Sequence, residues 1–415
     1  MKYIYNFSIR LFQLLLPVLG LFFKRLKIFY QDRKKTRPEF LQFIKQNNLP
    51  IIWVHVASLG EYEQIVPVIQ SLKNHYSNYT YLISFFSDSG YRNKKNKSIG
   101  DFETYLPLDT MSQANEFVEL VNPEMAIFVK YDIWPNYLNA LNNKKVNTYL
   151  VAARFRRSQI YFKFYGRFFR KALKSFNHIF LQDLASGHLL DKIDFLDWTL
   201  SGDTRYDRVS LQLKQDNHLN FVEKFLQNKP CLVCGSTWPE DENVLMPLIN
   251  DEHISLKYII APHQIKPEAI RVLVEKIEKK VTKYSEVEGL NVEEFDVLIV
   301  DSIGLLTKIY AYADIAYVGG GFGHAGLHNI LEPAVFGTPI IIGPNHEKFP
   351  EAQHLQDAGG LKVITKTAEI IELVKQLLNN DSIFKNMSEA SKKFISSQKG
   401  ATKITVNQIT KSHKN

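Results

Sequence analysis

Three stretches of the chain combine reactive side chains with the glycine, proline and capping residues that open a helix after a strand. The first reads H-V-A-S-L-G-E-Y, residues 55 to 62. Ser58 suits a helix N-cap, Gly60 allows close backbone approach, and Glu61 then falls in the first helical turn. A carboxylate there can act as a general base or merely complement the helix dipole, and spacing alone points to the dipole role. The second stretch reads Y-D-I-W-P-N, residues 131 to 136, where Pro135 fits a first helical turn and Trp134 either packs on a ligand or fills core. The third runs D-I-A-Y-V-G-G-G-F-G-H-A-G-L-H-N-I-L-E-P from Asp314. Here a strand enters a glycine-rich loop containing Gly320 and delivers Asn329, Ile330, Leu331 and Glu332 at the start of a helix. Loop amides and a helix N-terminus both favour an anion, so a phosphate site is expected, with Glu332 accepting from ribose or sugar hydroxyls. The dinucleotide fingerprint is different: it sits on the first strand of its domain, with an acid about 20 residues on.

Residues of this kind need a rigid scaffold, and the hydrophobic pattern supplies one. Short apolar runs alternate with longer amphipathic segments, the pattern of a parallel sheet covered by helices. A first series comprises 51–57, 80–86, 125–130, 147–153 and 178–183; a second comprises 231–236, 257–262, 296–301, 314–320 and 338–343. The runs are nearly continuous rather than alternating, so both sheet faces are expected to be buried. The fold class is α/β, with two Rossmann-like doubly wound domains facing a cleft in which ligands meet the carboxyl ends of the strands. The expected boundaries are an N-terminal segment 1–37, a first domain 38–209, a linker 210–229, a second domain 230–395 and a terminal helix 396–415. A length of 415 residues agrees with two domains.

Bulk chemistry narrows the partners. Net charge is +8, and Lys24, Arg25, Lys27, Arg33, Lys34, Lys35 and Arg37 cluster against the single acid Asp32. Directly before them runs L-F-Q-L-L-L-P-V-L-G-L-F-F, residues 11 to 23. Thirteen residues are short of the roughly 20 needed to span, so a segment lying on an anionic membrane surface is expected; docking on the protein itself is the alternative. A secretory signal is disfavoured because no small-residue cleavage site follows. The basic run adjoins an apolar anchor rather than stacking aromatics, which argues against nucleic acid. Cys231 and Cys234 lie in one apolar run without a completing metal set and read as core thiols.

Six motifs, in order and over nearly the whole chain, resemble those of the bacterial 3-deoxy-manno-octulosonic acid (Kdo) transferases. They are H-V-A-S-L-G-E, Y-D-I-W-P-N, S-G-D-T-R-Y-D (201–207), C-G-S-T-W-P-E-D-E (234–242), H-N-I-L-E-P-A and G-P-N-H-E-K-F-P-E-A (343–352). The resemblance implies a GT-B glycosyltransferase that moves Kdo from CMP-Kdo to a lipid A precursor of the lipid IVA type, for lipopolysaccharide, at the cytoplasmic face of the inner membrane. It implies neither metal nor cofactor. The first domain would bind acceptor and the second the CMP-sugar. The resemblance makes Glu61 the proton acceptor, and it places Arg205 and Lys130 where the family stabilises the transition state. Two departures stand there: Arg205 replaces a lysine, keeping the charge, and Lys130 replaces a glutamate, reversing it. Donor contacts are implied for Ser58, Gly60, Ser236, Gly320, Asn329, Ile330, Leu331 and Glu332. They are also implied for Pro262-His263, which stands for a Pro-Arg pair, and for Ile303-Gly304-Leu305, which stands for Met-Gly-Glu. The rivals are a UDP-sugar transferase or epimerase, and a non-catalytic lipid A or carbohydrate-binding protein.

Overall fold

The computed structural model describes residues 1–413. They form two compact units, one of Met1–Arg208 together with the C-terminal segment from Lys399, the other of Val209–Gln398.

The first unit is built on a parallel sheet of β1 (Ile51–Val56), β2 (Thr80–Phe85), β3 (Phe102–Tyr105), β4 (Met125–Val129), β5 (Asn147–Ala153), β6 (His178–Leu181) and β7 (Trp198–Leu200), in the order β3-β2-β1-β4-β5-β6-β7. Every residue of β1, β2 and β4 is buried, as their unbroken apolar runs require. Helices cover both faces and enclose two apolar clusters, one around Trp53, Phe117 and Phe128, the other around Val54, Ile69 and Tyr149. The second unit repeats the plan with β8 (Cys231–Thr237), β9 (Lys257–Pro262), β10 (Val281–Lys283), β11 (Val297–Ile299), β12 (Ile315–Val318), β13 (Ile340–Ile342) and β14 (Leu361–Val363), ordered β10-β11-β9-β8-β12-β13-β14. In each sheet the winding reverses once, between β1 and β4 in the first and between β8 and β12 in the second. Ligands of doubly wound sheets sit beyond the strand ends at this reversal. Both cysteines are buried in β8, as core thiols should be.

All ten predicted runs contain strands. The four strands that sequence missed, β3, β7, β10 and β14, are the four sheet edges. Each has three or four residues and keeps part of its surface in water, so neither length nor hydropathy marks it. The segment 210–229, read as a polar, helix-like linker, contains a helix, Asn220–Leu226, whose Val222, Phe225 and Leu226 are buried.

The N-terminal helix is longer than the thirteen-residue apolar run. Helix α1 covers Lys2–Phe22, 21 residues, because Tyr3, Ile4, Tyr5, Phe7 and Ile9 extend the apolar stretch. By length and composition it is sufficient to cross a membrane. Only Leu16 and Gly20 are buried; Phe7, Leu14, Val18, Leu21 and Phe22 are exposed. Its beginning is tied to the first unit: Tyr5 donates to Asp109 at 2.6 Å and Asn136 donates to Asn6 at 2.8 Å. Helix α2 (Lys24–Gln46) turns back on it at Phe23, and Gly20 permits the close packing, since a Cβ there would lie 3.2 Å from the Lys27 Cα.

Candidate active site

The first unit gathers its reactive groups at the β1/β4 reversal. The loop after β1 leads into helix α3 (Leu59–His75), with Ser58 as N-cap and Glu61 three residues on. The Glu61 carboxylate turns back, and its Oε2 accepts from the amides of Ala57 at 2.6 Å and Ser58 at 3.1 Å. These amides would otherwise be orphaned at a helix start. The dipole-complementing role is therefore real, and it also fixes the carboxylate. Gly60 is exposed and a Cβ there would meet nothing within 4 Å, so packing does not demand a glycine.

Beyond β4, Lys130 takes a left-handed backbone at φ 58°, and the chain turns through Asp132 into the helix Pro135–Asn143. Asp109 caps that helix, accepting from the amides of Asn136 at 3.1 Å and Tyr137 at 3.0 Å, which gives the W-P-N element a structural share. Burial raises the carboxyl pKa values of both Glu61 and Asp132, Asp132 further because Glu61 is a like charge beside it. The Lys130 ammonium opposes this, favouring the ionised form of each.

Asp132 also approaches His55, its Oδ2 lying 3.6 Å from Nε2. This is not an ion pair. Trp134 donates its indole N–H to the same Nε2 at 3.1 Å, and an indole is donor only, so His55 carries its proton on Nδ1, facing Ser84 at 2.8 Å. Complete burial depresses the imidazole pKa to about 3 and keeps it neutral. The Asp132 Oδ2 is left buried without a hydrogen-bond partner among the described residues. Trp134 is thus both wall and ligand of the histidine. Arg205 lies in the helix Thr204–Gln212 of the same unit, its guanidinium held by Asp203 at 2.8 Å.

The second unit places its candidates at the β8/β12 reversal. Ser236, at the end of β8, is left-handed at φ 55°. Trp238 follows it and stacks on His263, ring centroids 4.5 Å apart, and His263 lies 4.5 Å from His328. The Trp238 indole donates to His328 Nε2 at 3.1 Å, and burial with the neighbouring His263 lowers the His328 pKa to about 4. Sequence reasoning found His263 but missed Trp238 and His328, although both stood inside quoted motifs.

The glycine loop corrects the phosphate reading in two ways. The amides of Gly320 and Phe322 are taken by the buried Asp241 carboxylate, at 2.8 and 3.4 Å, which also receives Tyr317 and Trp238. The helix beyond is a single turn, Leu331–Ala334, so its dipole is small. Leu331 N is bonded by Asn329 at 3.2 Å, whereas the amides of Asn329 and Ile330 make no intramolecular bond among the described residues. Glu332 is held by Thr307 at 3.1 Å and Asn329 at 3.0 Å. Ile303-Gly304-Leu305 forms an exposed turn just before Thr307, with Ile303 82% exposed and Gly304 at φ 95°. Pro262 ends β9 beside His263, whose amide donates to Thr237 at 2.9 Å.

The sequence profile of the family described as 3-Deoxy-D-manno-octulosonic-acid transferase (kdotransferase) matches residues 24–208, the stretch that carries Glu61, Lys130 and Arg205. The 3-deoxy-D-manno-octulosonic acid transferase of Rickettsia bellii is 28% identical over 397 residues, 92% of this chain and 93% of that protein. That of Haemophilus influenzae is 26% identical over 366 residues, 84% of each. Over most of its length the chain is similar to the Kdo transferases. It is a glycosyltransferase. Its fold is GT-B: a UDP-GlcNAc 2-epimerase from Neisseria meningitidis superposes with a TM-score of 0.63 at 15% identity, covering 88% of this chain and 100% of that one. MurG of Acinetobacter baumannii superposes with a TM-score of 0.54 at 12% identity, covering 88% and 99%. The Kdo transferase profile ends at 208, so the histidine cluster of the second unit lies outside it.

Proposed function

We propose that the chain is an inverting Kdo transferase that moves Kdo from CMP-Kdo to a hydroxyl of an acylated, phosphorylated lipid A precursor, at the cytoplasmic face of the inner membrane. The observation that carries this reading is Glu61: a carboxylate fixed by two amides at a topological switch point, its pKa raised by burial and tempered by Lys130. In this reading Glu61 takes the hydroxyl proton as the acceptor oxygen bonds to the anomeric carbon. The bond from that carbon to the donor phosphate breaks, CMP leaves with the electron pair, and direct displacement inverts the centre. Charge grows on the leaving phosphate, and the groups of each unit suited to stabilise such a charge are Arg205 in the first and the amides of Asn329 and Ile330 in the second. Trp238, His263 and His328 would hold the nucleotide, and Ser236, Pro262, Gly320, Glu332 and the 303–305 turn shape their surroundings.

Glu61→Gln tests the assignment. It should retain CMP-Kdo binding and lower transfer by about 10²- to 10⁴-fold, the usual worth of a general base. Near wild-type transfer by this variant would remove Glu61 from the mechanism.

A further inference from the structure

The first unit contains a cavity of about 350 Å³ between its two N-terminal helices and its sheet edge. Its wall is apolar: Leu16 from α1, Phe40 and Leu41 from α2, and Leu108, Phe117 and Leu120 opposite. Lys34 and Arg37 also line it and are exposed to solvent, so cations stand where the cavity meets water. Arg37 pairs with Glu116.

Arg33 is different. Its guanidinium lies 3.4 Å over the Phe29 ring and 4.7 Å from the Tyr105 ring, and it donates to the carbonyls of Phe86 at 2.6 Å and Leu106 at 3.2 Å. No carboxylate among the described residues lies within ion-pair distance of it. Withdrawal from water is costly enough to lower its pKa to about 10. A cation desolvated to that degree is ordinarily compensated by an anion.

A series of packed rings links the cavity wall to the surroundings of the candidate base. Phe29 of its wall meets Phe86 at 5.6 Å between ring centroids, Phe86 meets Trp134 at 4.8 Å, and Trp134 donates to His55 beside Asp132 and Glu61. A ligand that fits all of this carries an anion, a hydrocarbon chain and a hydroxyl on one framework. We propose that this cavity seats one acyl chain of the acceptor lipid, with a phosphate of the same molecule at Arg33 and Lys34. The proposal rests on the acceptor being an acylated, phosphorylated lipid. A soluble phosphosugar would leave the apolar wall unused, and a bilayer phospholipid would have no reason to sit against the residues that pack beside the candidate base.

The test compares two acceptors that differ only in acyl length, four against twelve or more carbons, at fixed detergent and with CMP-Kdo as donor. Each methylene buried contributes enough that wild type should favour the long-chain acceptor in kcat/KM by at least about tenfold. Filling the cavity by Leu120→Trp from inside, and separately by Leu41→Trp at its mouth, should bring that ratio close to one. A wild-type ratio near one, or variants that keep the wild-type ratio, would overturn the proposal. So would a ratio restored in the variants by added phosphatidylglycerol vesicles, which would assign the cavity to bilayer lipid. Absence of transfer to either acceptor in wild type would instead overturn the reading of the enzyme as a Kdo transferase.

Discussion

Lys130 is the position where the sequence departs most from the motifs it resembles, and the structure sets the cation's charge beside two carboxyls. Its charge favours ionised Glu61 and Asp132, working against burial, which favours their protonated forms. The sign of the consequence follows. The Ala57 amide opposes the burial penalty too, but removing the ammonium takes away one of the opposing groups, so the pair's pKa values rise and less Glu61 is available as base on the acid side. An opposite charge at such range typically shifts a carboxyl by about one unit or more, a tenfold change in base fraction. Lys130→Ala should therefore move the acid limb of the kcat pH profile upward by about one unit, costing up to about tenfold on the acid side of the limb and little on its alkaline side. Lys130→Arg should restore the limb. A profile unmoved by Lys130→Ala would show that the cation does not act on the carboxyl pair. The left-handed backbone at Lys130, matched by Ser236 at the end of β8, marks both reversals as places where the chain is held in a sparsely populated conformation.

At the scale of elements, α1 presents two faces with different work to do. Tyr5, Asn6 and Leu16 turn toward the first unit, while Phe7, Leu14 and Phe22 stand 68%, 69% and 77% exposed. An exposed apolar stripe followed by seven cations fits a helix lying in the membrane interface with its other side on the protein. Replacing Phe7, Leu14 and Phe22 together by Ser removes nothing that the fold packs, yet should weaken binding to anionic vesicles at least about tenfold, given the usual value of a buried apolar side chain. Sedimentation that persists in high salt would place the anchor elsewhere. The comparison with sequence has a physical pattern. Central strands were legible because burial on both faces forces unbroken apolar runs, and the edges β3, β7, β10 and β14 were not, because partial exposure relaxes that demand. Glu61 stood in a local motif, whereas Lys130 and His263 were singled out only through the resemblance. Asp132 as partner of Glu61, and Asp241 as occupant of the glycine-loop amides, arise from contacts distant in sequence: Asp241 reaches Gly320 across 79 residues. No local spacing encodes such a contact.

At the scale of the whole molecule, the chain finishes where it began. Helix Ala401–His413 follows the second unit in sequence but belongs to the first, packing on α3 with Ala401, Val406 and Ile409 buried among the core residues of that sheet. Asp207 fastens the crossing, accepting from the amides of Gly400 at 2.8 Å and Thr402 at 2.7 Å. The helix that carries Glu61 thus has part of its packing supplied by the far end of the sequence. Ending the chain at Gln398 would expose the apolar surface that Val406 and Ile409 cover. At about 1.5 to 3 kcal/mol for each fully buried side chain, the first unit should lose about 3 to 6 kcal/mol from these two alone. For a unit of this size each kcal/mol corresponds to about 2 to 4 °C, so its unfolding transition should fall by at least about 6 °C. The second unit keeps its own sheet and its cluster around Leu245, Ile260 and Val374, so its transition should stay in place. Hydrogen exchange resolved by segment separates the outcomes: faster exchange in β1, β2 and α3 with β8, β9 and β12 unchanged is expected, whereas uniform acceleration, or none, would show that the C-terminal helix is not an integral part of the first unit.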